Sequence, residues 1–223
     1  MRIILVATVV TLCLFAKPAI TAPIKMDPRV VKLPGCTGFI VDGNYLFTAK
    51  HCLLSLGKTV TIQSNKYGTL ECPLLYEAES EHGVLVYKIP KTDKFKRYPS
   101  FKIAKSPAAP NELVHSIGFP GGFYAITYGP FISSGEDDGF SIVGLRINPG
   151  CSGGPLLNEK DEVIGLSEAV ASDIRVPLSF FTSLRKIKKA ISKIKSKKNF
   201  VTNKDQPVEV LPRIKLPIKI IDE

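Results

Sequence analysis

One serine in this chain stands on a turn suited to reactive chemistry. The segment Ile147-Asn148-Pro149-Gly150-Cys151-Ser152-Gly153-Gly154-Pro155-Leu156 presents the Ser152 hydroxyl among glycines. Glycines admit turn geometries closed to other residues and let backbone N–H groups approach a reacting atom. Serine is a weak nucleophile, so it needs a base within hydrogen-bond reach and a third group that holds the base in the right tautomer. Far upstream, Phe47-Thr48-Ala49-Lys50-His51-Cys52 offers His51 as that base. The amides of Gly150 and Ser152 are the candidate oxyanion hole, which would stabilise charge that appears only in the transition state. Taken alone, the serine turn also fits an ordinary glycine-rich β-turn; its combination with the His51 segment is more specific.

These residues need a scaffold, and the chain is long enough to supply one. It has 223 residues, 44% of them hydrophobic, which suits one domain or two small lobes sharing a cleft. The N-terminus predicts a secretory signal over residues 1–22: Arg2, an apolar run from Ile3 to Ala16, a break at Lys17-Pro18, and small Ala22. The run is short for a membrane span, and an uncleaved anchor is the other reading. Secretion or a periplasmic location follows, where disulfides persist. With Cys13 inside the signal, four cysteines remain. Cys36 and Cys52 are the expected pair, because their bridge would clip the strand ends that frame His51; Cys72 and Cys151 are left as candidate free thiols.

Residues 23–34 read as a connector. From Gly35 onward short β-like runs alternate with turns: Thr37–Val41 and Tyr45–Thr48 flank Asp42-Gly43-Asn44, followed by Thr59–Gln63, Leu70–Tyr76 and Val84–Ile89. Lys91–Arg97 is a charged linker. A second β-rich half contains Leu113–Gly118, Tyr124–Ser134, Gly139–Arg146, Pro155–Asn158, Val163–Ser167 and Ile174–Pro177. Two β-rich lobes predict an all-β protein made of two small antiparallel barrels, the first over about residues 35–92 and the second over about 98–177. Phe180, Leu184, Ile187, Ile191 and Ile194 recur at helical spacing and predict a helix over 179–198. The prolines at 207, 212 and 217 predict an extended tail over 199–223.

The paired motifs resemble those of trypsin-like serine proteases. Thr48-Ala49-Lys50-His51-Cys52 is similar to the family's Thr-Ala-Ala-His-Cys, with Lys50 in place of an alanine, and Cys36 falls where the family places that cysteine's partner. Within the superfamily, Ile147-Asn148-Pro149-Gly150-Cys151-Ser152-Gly153-Gly154-Pro155-Leu156 most resembles the HtrA-like branch, as do Val163-Ile164-Gly165-Leu166 and Ile117-Gly118-Phe119-Pro120-Gly121-Gly122. The resemblance runs from about Gly35 to Ile194 and leaves no segment for the PDZ domain that many HtrA proteins carry. It implies a chymotrypsin-like pair of six-stranded barrels, peptide-bond hydrolysis with Ser152 and His51 in the catalytic roles, a polypeptide substrate and no cofactor. Cys151 stands where trypsins place the aspartate that receives a new N-terminus, which argues against that activation route. Cysteine as the nucleophile is disfavoured, because Ser152 directly precedes Gly153-Gly154.

The third catalytic group is the open question. The family's acid lies just before the strand that ends the first barrel, and here that segment is Glu81-His82-Gly83-Val84-Leu85-Val86-Tyr87-Lys88-Ile89. One register puts Glu81 at the acid position; the other puts Gly83 there and leaves no acid. Glu81 is the expected orienting acid, with Glu79 or another acid as a further option. Replacing the acid's charge in such a group lowers turnover by about four orders of magnitude, and the alternative reading is a catalytically inactive fold serving as a binding module. Ile147, Ala169 and Val170 are the expected lining of the primary specificity pocket, which favours small or medium apolar residues; Glu168 beside them has a direction the sequence does not set.

The net charge of +10 is concentrated in the final helix, where eight cations from Arg185 to Lys198 have no acid among them. The expected role is a solvated outer face of a helix docked on the second barrel. An anionic membrane or a polyanion contacted through residues 180–198 is the alternative. No stacking aromatics interrupt the basic face, so specific nucleic-acid recognition is not expected. Glu136-Asp137-Asp138 lacks the spacing of a calcium loop, and no metal is expected.

Overall fold

Continuous apolar runs form the central strands of the first barrel, where both faces of the sheet are covered. Its strands are β1 (Val30–Leu33), β2 (Cys36–Val41), β3 (Tyr45–Ala49), β4 (Thr59–Ser64), β5 (Gly68–Glu77) and β6 (Val84–Lys88), in the order β1-β2-β3-β6-β5-β4. Every residue of β2 and β3 is buried. The turn between them uses left-handed backbone at Asp42 and Gly43, a conformation that Asp-Gly adopts at low cost. The computed structural model describes residues 25–64, 68–92, 97–135, 139–170 and 177–200. The expected signal, the extended tail and most of the 174–177 strand lie outside them.

The second barrel is built from β8 (Leu113–Gly118), β9 (Ala125–Gly135), β10 (Phe140–Val143), β11 (Pro155–Leu157), β12 (Glu162–Val170) and β13 (Ser179–Ser183), with the short β7 (Lys102–Ile103) added in parallel to β12. The order β11-β8-β9-β10-β13-β12 closes on itself through β11–β12 pairing. Two antiparallel six-stranded barrels, the first nearly closed, are the expected architecture.

Two boundaries differ from expectation. The connector over 23–34 contains β1, whose Val30 and Leu33 are buried and which pairs with β2 from Val30↔Phe39 to Leu33↔Cys36. The helix does not begin at Ser179. Residues 179–183 form β13, hydrogen bonded between β10 and β12; after the short helix α1 (Leu53–Leu56) of the first barrel, the second helix, α2, spans Leu184–Phe200. Phe180 and Phe181 are good strand formers, and the two free sheet edges outweigh the helical spacing that Phe180 shares with Leu184.

Helix α2 joins the two barrels. Leu184 belongs to the core of the second barrel, whereas Ile187, Ala190 and Ile194 belong to a larger cluster that joins the first barrel's core to Leu157, Val163 and Leu166 of the second. Several of its lysines make protein contacts: Lys186 donates to the His82 carbonyl at 2.9 Å, Lys188 to the Lys105 carbonyl at 2.6 Å, and Lys193 pairs with Glu79 at 2.8 Å. Among the described residues, no helix is long and apolar enough to cross a membrane.

The expected disulfide is present: Cys36 and Cys52 are bonded across a sequence separation of 16. A loop of that length restricts the unfolded chain by about 3 kcal/mol. Replacing both cysteines by serine should lower the calorimetric melting temperature by roughly 6–12 °C at that cost, with a far-ultraviolet spectrum of unchanged shape.

Candidate active site

The turn carrying Ser152 is fixed by its carbonyls, which orients its amides. Gly121 N–H donates to the Pro149 carbonyl at 3.1 Å, and Gly154 N–H to the Cys151 carbonyl at 2.8 Å. In a trans peptide the N–H points opposite to its own carbonyl. The amides of Gly150 and Ser152 therefore face away from these anchors, and among the described residues neither donates to a backbone carbonyl. Gly150 needs its positive φ of 101°, and a Cβ there would lie 2.3 Å from the Phe119 carbonyl oxygen.

Thr37 of β2 ties this turn to the first barrel. Its N–H donates to the Ser152 carbonyl at 2.8 Å, and its hydroxyl donates to the Gly150 carbonyl at 2.6 Å while accepting the Phe119 N–H at 3.1 Å. Its own carbonyl accepts the Thr48 hydroxyl at 2.7 Å. Gly153 is pressed so closely on this junction that a Cβ would sit 2.1 Å from Thr48 Oγ1 and 2.7 Å from Ala49 N. Because Thr48 and Ala49 lead directly into the tight 3₁₀ turn Lys50–Cys52, the serine turn and His51 are brought together across the barrel interface.

His51 is partly exposed, with its Nδ1 3.2 Å from Oε1 of Glu168. The Glu168 side chain is 1% exposed. Its Oε2 accepts the Thr182 hydroxyl at 2.9 Å, and His82 Nδ1 lies 3.5 Å from Oε1. Burial pulls the Lys186 ammonium below its usual range, and the Glu168 charge opposes that shift. Glu168 is therefore surrounded by two imidazoles, a hydroxyl and a nearby ammonium, the company a buried carboxylate requires.

The carboxylate placed on His51 is thus not Glu81. Glu81 is exposed on the loop before β6. The register of β3 and β6 pairs Ala49 with Val84, and the Lys50 N–H donates to the Gly83 carbonyl at 2.9 Å. Gly83, without a side chain, is therefore the first-barrel residue facing the start of the His51 turn. Lys50, the departure from the family's alanine, holds this loop by donating to the Ala78 carbonyl at 2.6 Å and pairing with Glu77 at 3.5 Å. Glu79 faces Lys193 instead. The signal that sequence reasoning lacked for Glu168 is an irregularity in strand pairing: Ser167 pairs with Phe181 and Ala169 with Phe180, so Glu168 is the extra residue of a bulge. A bulge re-aims the side chain it carries.

The remaining expected site residues are distributed differently. Ile147 is buried in the core of the second barrel, while Ala169 and Val170 are exposed at the end of β12. His115 lies apart, stacked on Tyr128 and near Asp161, with burial pulling its imidazole below the usual range. Cys72 and Cys151 are free and buried, and burial pushes both thiols up, Cys72 to about 11.

A family model described as a trypsin-like peptidase domain matches residues 36–166. The chain is 30% identical over 143 residues to a DegP-like periplasmic serine endoprotease of Ectopseudomonas mendocina, covering 60% of this chain and 29% of that relative. It therefore spans under a third of that protein's length. In fold it is similar to a serine endoprotease of Yersinia pestis, with a TM-score of 0.64 and 22% identity over 75% of this chain and 62% of the other. It is also similar to a protease of M. tuberculosis in an inactive form, with a TM-score of 0.61 and 23% identity over 75% and 89% of the two chains.

Thr37→Val keeps the side-chain shape but strands the part-buried Gly150 carbonyl and the buried Phe119 N–H. Stability should fall by about 2–4 kcal/mol in urea titration, and the geometry of the serine turn should loosen with it. The two free thiols give a second measurement. The Cys72 thiol, pushed up to about 11, is thiolate in only about one molecule in a thousand at pH 8, and burial raises and shields the Cys151 thiol as well. Iodoacetamide at that pH should leave Cys72 and Cys151 unmodified in the folded chain and alkylate both in urea.

Proposed function

We propose that this chain, which belongs to the trypsin-like peptidase family, is a secreted or periplasmic serine endopeptidase with Ser152 as nucleophile and His51 as general base. The observation that carries this reading is the serine turn itself: two amides that donate to no backbone carbonyl among the described residues, each set by an anchored carbonyl, on a turn fastened beside His51 by Thr37. An inert scaffold has no need of such an arrangement, whereas acyl transfer requires it.

In the proposed cycle the Ser152 oxygen attacks the carbonyl carbon of a peptide bond. His51 Nε2 takes the hydroxyl proton, and the new oxyanion is held by the amides of Gly150 and Ser152. Collapse breaks the C–N bond as His51 returns the proton to the leaving amine. Water then attacks the acyl-enzyme by the same route, and Ser152 is regenerated. With Nδ1 turned toward a carboxylate, Nε2 is the ring nitrogen left for Ser152.

The substrate is a polypeptide. Ala169 and Val170, exposed beyond Glu168 on β12, are the residues proposed to meet its side chains, with a preference for small or medium apolar residues. Ile147 acts from beneath as core. The protein contacts of Lys186, Lys188 and Lys193 support a docking role for α2 over an anionic-membrane or polyanion surface.

A fluorophosphonate probe should label the wild-type chain at Ser152 and fail on Ser152→Ala. His51→Ala should lower turnover of a peptide substrate by at least roughly 10⁴-fold. A folded, disulfide-bonded chain that neither labels nor cleaves would overturn the reading and leave a binding module.

A further inference from the structure

We infer that the acid of the catalytic group has moved between barrels: Glu168 of β12, beside the nucleophile's own turn in the second barrel, is the positioning residue for His51. The inference deepens the proposed serine endopeptidase reading and rests on it for its catalytic meaning.

Four observations converge. Glu168 Oε1 is the carboxylate oxygen on His51 Nδ1, at 3.2 Å, the ring position that must hold its proton if Nε2 is to receive one from Ser152. The side chain is 1% exposed, so the contact is not a solvated surface pair. Its other oxygen is fixed by Thr182 at 2.9 Å, which sets the orientation of the carboxylate plane. Finally, the bulge at Glu168 separates the Ser167–Phe181 and Ala169–Phe180 pairs and re-aims this residue.

The same strand also carries the serine turn. Gly153 N–H donates to the Ser167 carbonyl at 2.8 Å, and Ser167 N–H donates to the Gly154 carbonyl at 2.8 Å. Nucleophile and acid are therefore linked through adjacent backbone, and only the base crosses from the first barrel. The first barrel in turn presents Gly83, which has no side chain, opposite Lys50. Its nearby carboxylates are otherwise placed: Glu77 on Lys50, Glu79 on Lys193, Glu81 in solvent. The extra methylene of glutamate, relative to aspartate, suits an acid that must reach across the interface. A purely structural carboxylate could satisfy Thr182 without touching His51, and two imidazoles converging on one buried oxygen speak against that role.

The test compares Glu168→Gln with Glu81→Gln in the full disulfide-bonded chain. Glu168→Gln should lower kcat by roughly 10²–10⁴-fold with KM changed by less than about threefold, since the lost interaction acts on the transition state. Glu168→Asp should recover about tenfold over the glutamine variant and stay below wild type, because the carboxylate is restored on a shorter arm. Glu81→Gln should stay within about threefold of wild type. Thr182→Val, which deletes only the Oε2 donor, should lower kcat in the same direction by about tenfold and keeps the question open to measurement if Glu168→Gln does not fold. A readout independent of turnover is the low-field proton resonance of His51 Nδ1–H, which should persist in Glu81→Gln and be lost in Glu168→Gln. Loss of activity and resonance in Glu81→Gln, with both intact in Glu168→Gln, would overturn the inference while leaving the endopeptidase reading in place. A wild-type chain that resists the fluorophosphonate but loses the resonance only in Glu168→Gln would overturn the endopeptidase reading and uphold the Glu168–His51 contact.

Discussion

The site depends on Thr37. One buried threonine uses its amide, both functions of its hydroxyl and its carbonyl to connect the Ser152 turn, the Phe119 segment and the strand leading to His51. A side chain that donates and accepts at once can fasten two loops of the second barrel to a strand of the first. Each bond is modest in net worth, but any of these buried groups left unpaired would cost its full desolvation. The close approach of Gly153 to Thr48 and Ala49 follows from the same junction, because a Cβ there would collide with backbone.

That junction places unequal demands on the two barrels. The first contributes an imidazole on a short turn, held by the disulfide and by Lys50, whose ammonium reaches the Ala78 carbonyl. The second contributes the hydroxyl, the amides of Gly150 and Ser152, and the carboxylate on the imidazole. Much of the site's preorganisation therefore lies in one sheet, where β12 is bonded to the serine turn on one side and to β13 on the other. Helix α2 reinforces the arrangement by sharing its apolar stripe between both cores and by fastening the His82 carbonyl with Lys186. Burying Glu168 is tolerable because hydroxyl and imidazole groups surround it.

The elements with strong local signals were legible from sequence, and those set by pairing partners were not. β8 matches its expected span because alternating residues and flanking turns mark both ends. Residues 179–183 carry an apolar spacing shared by strand and helix, and only the edges offered by β10 and β12 resolve it. β1 was hidden among prolines and charges because it is a strand by virtue of pairing with β2.

The sequence by itself determined the serine turn, the histidine segment, the cysteine pair and the two-barrel architecture, because local residue patterns and the family resemblance of the paired motifs carry them. Tertiary structure alone decided which carboxylate meets His51. Glu81 stands in the expected place along the chain, but its loop points it into solvent. Glu168 reaches Nδ1 because a bulge in β12 turns it inward and the docking of two barrels brings the imidazole to it. A distance across an interface depends on packing between residues 117 positions apart, and no local pattern in the chain records it.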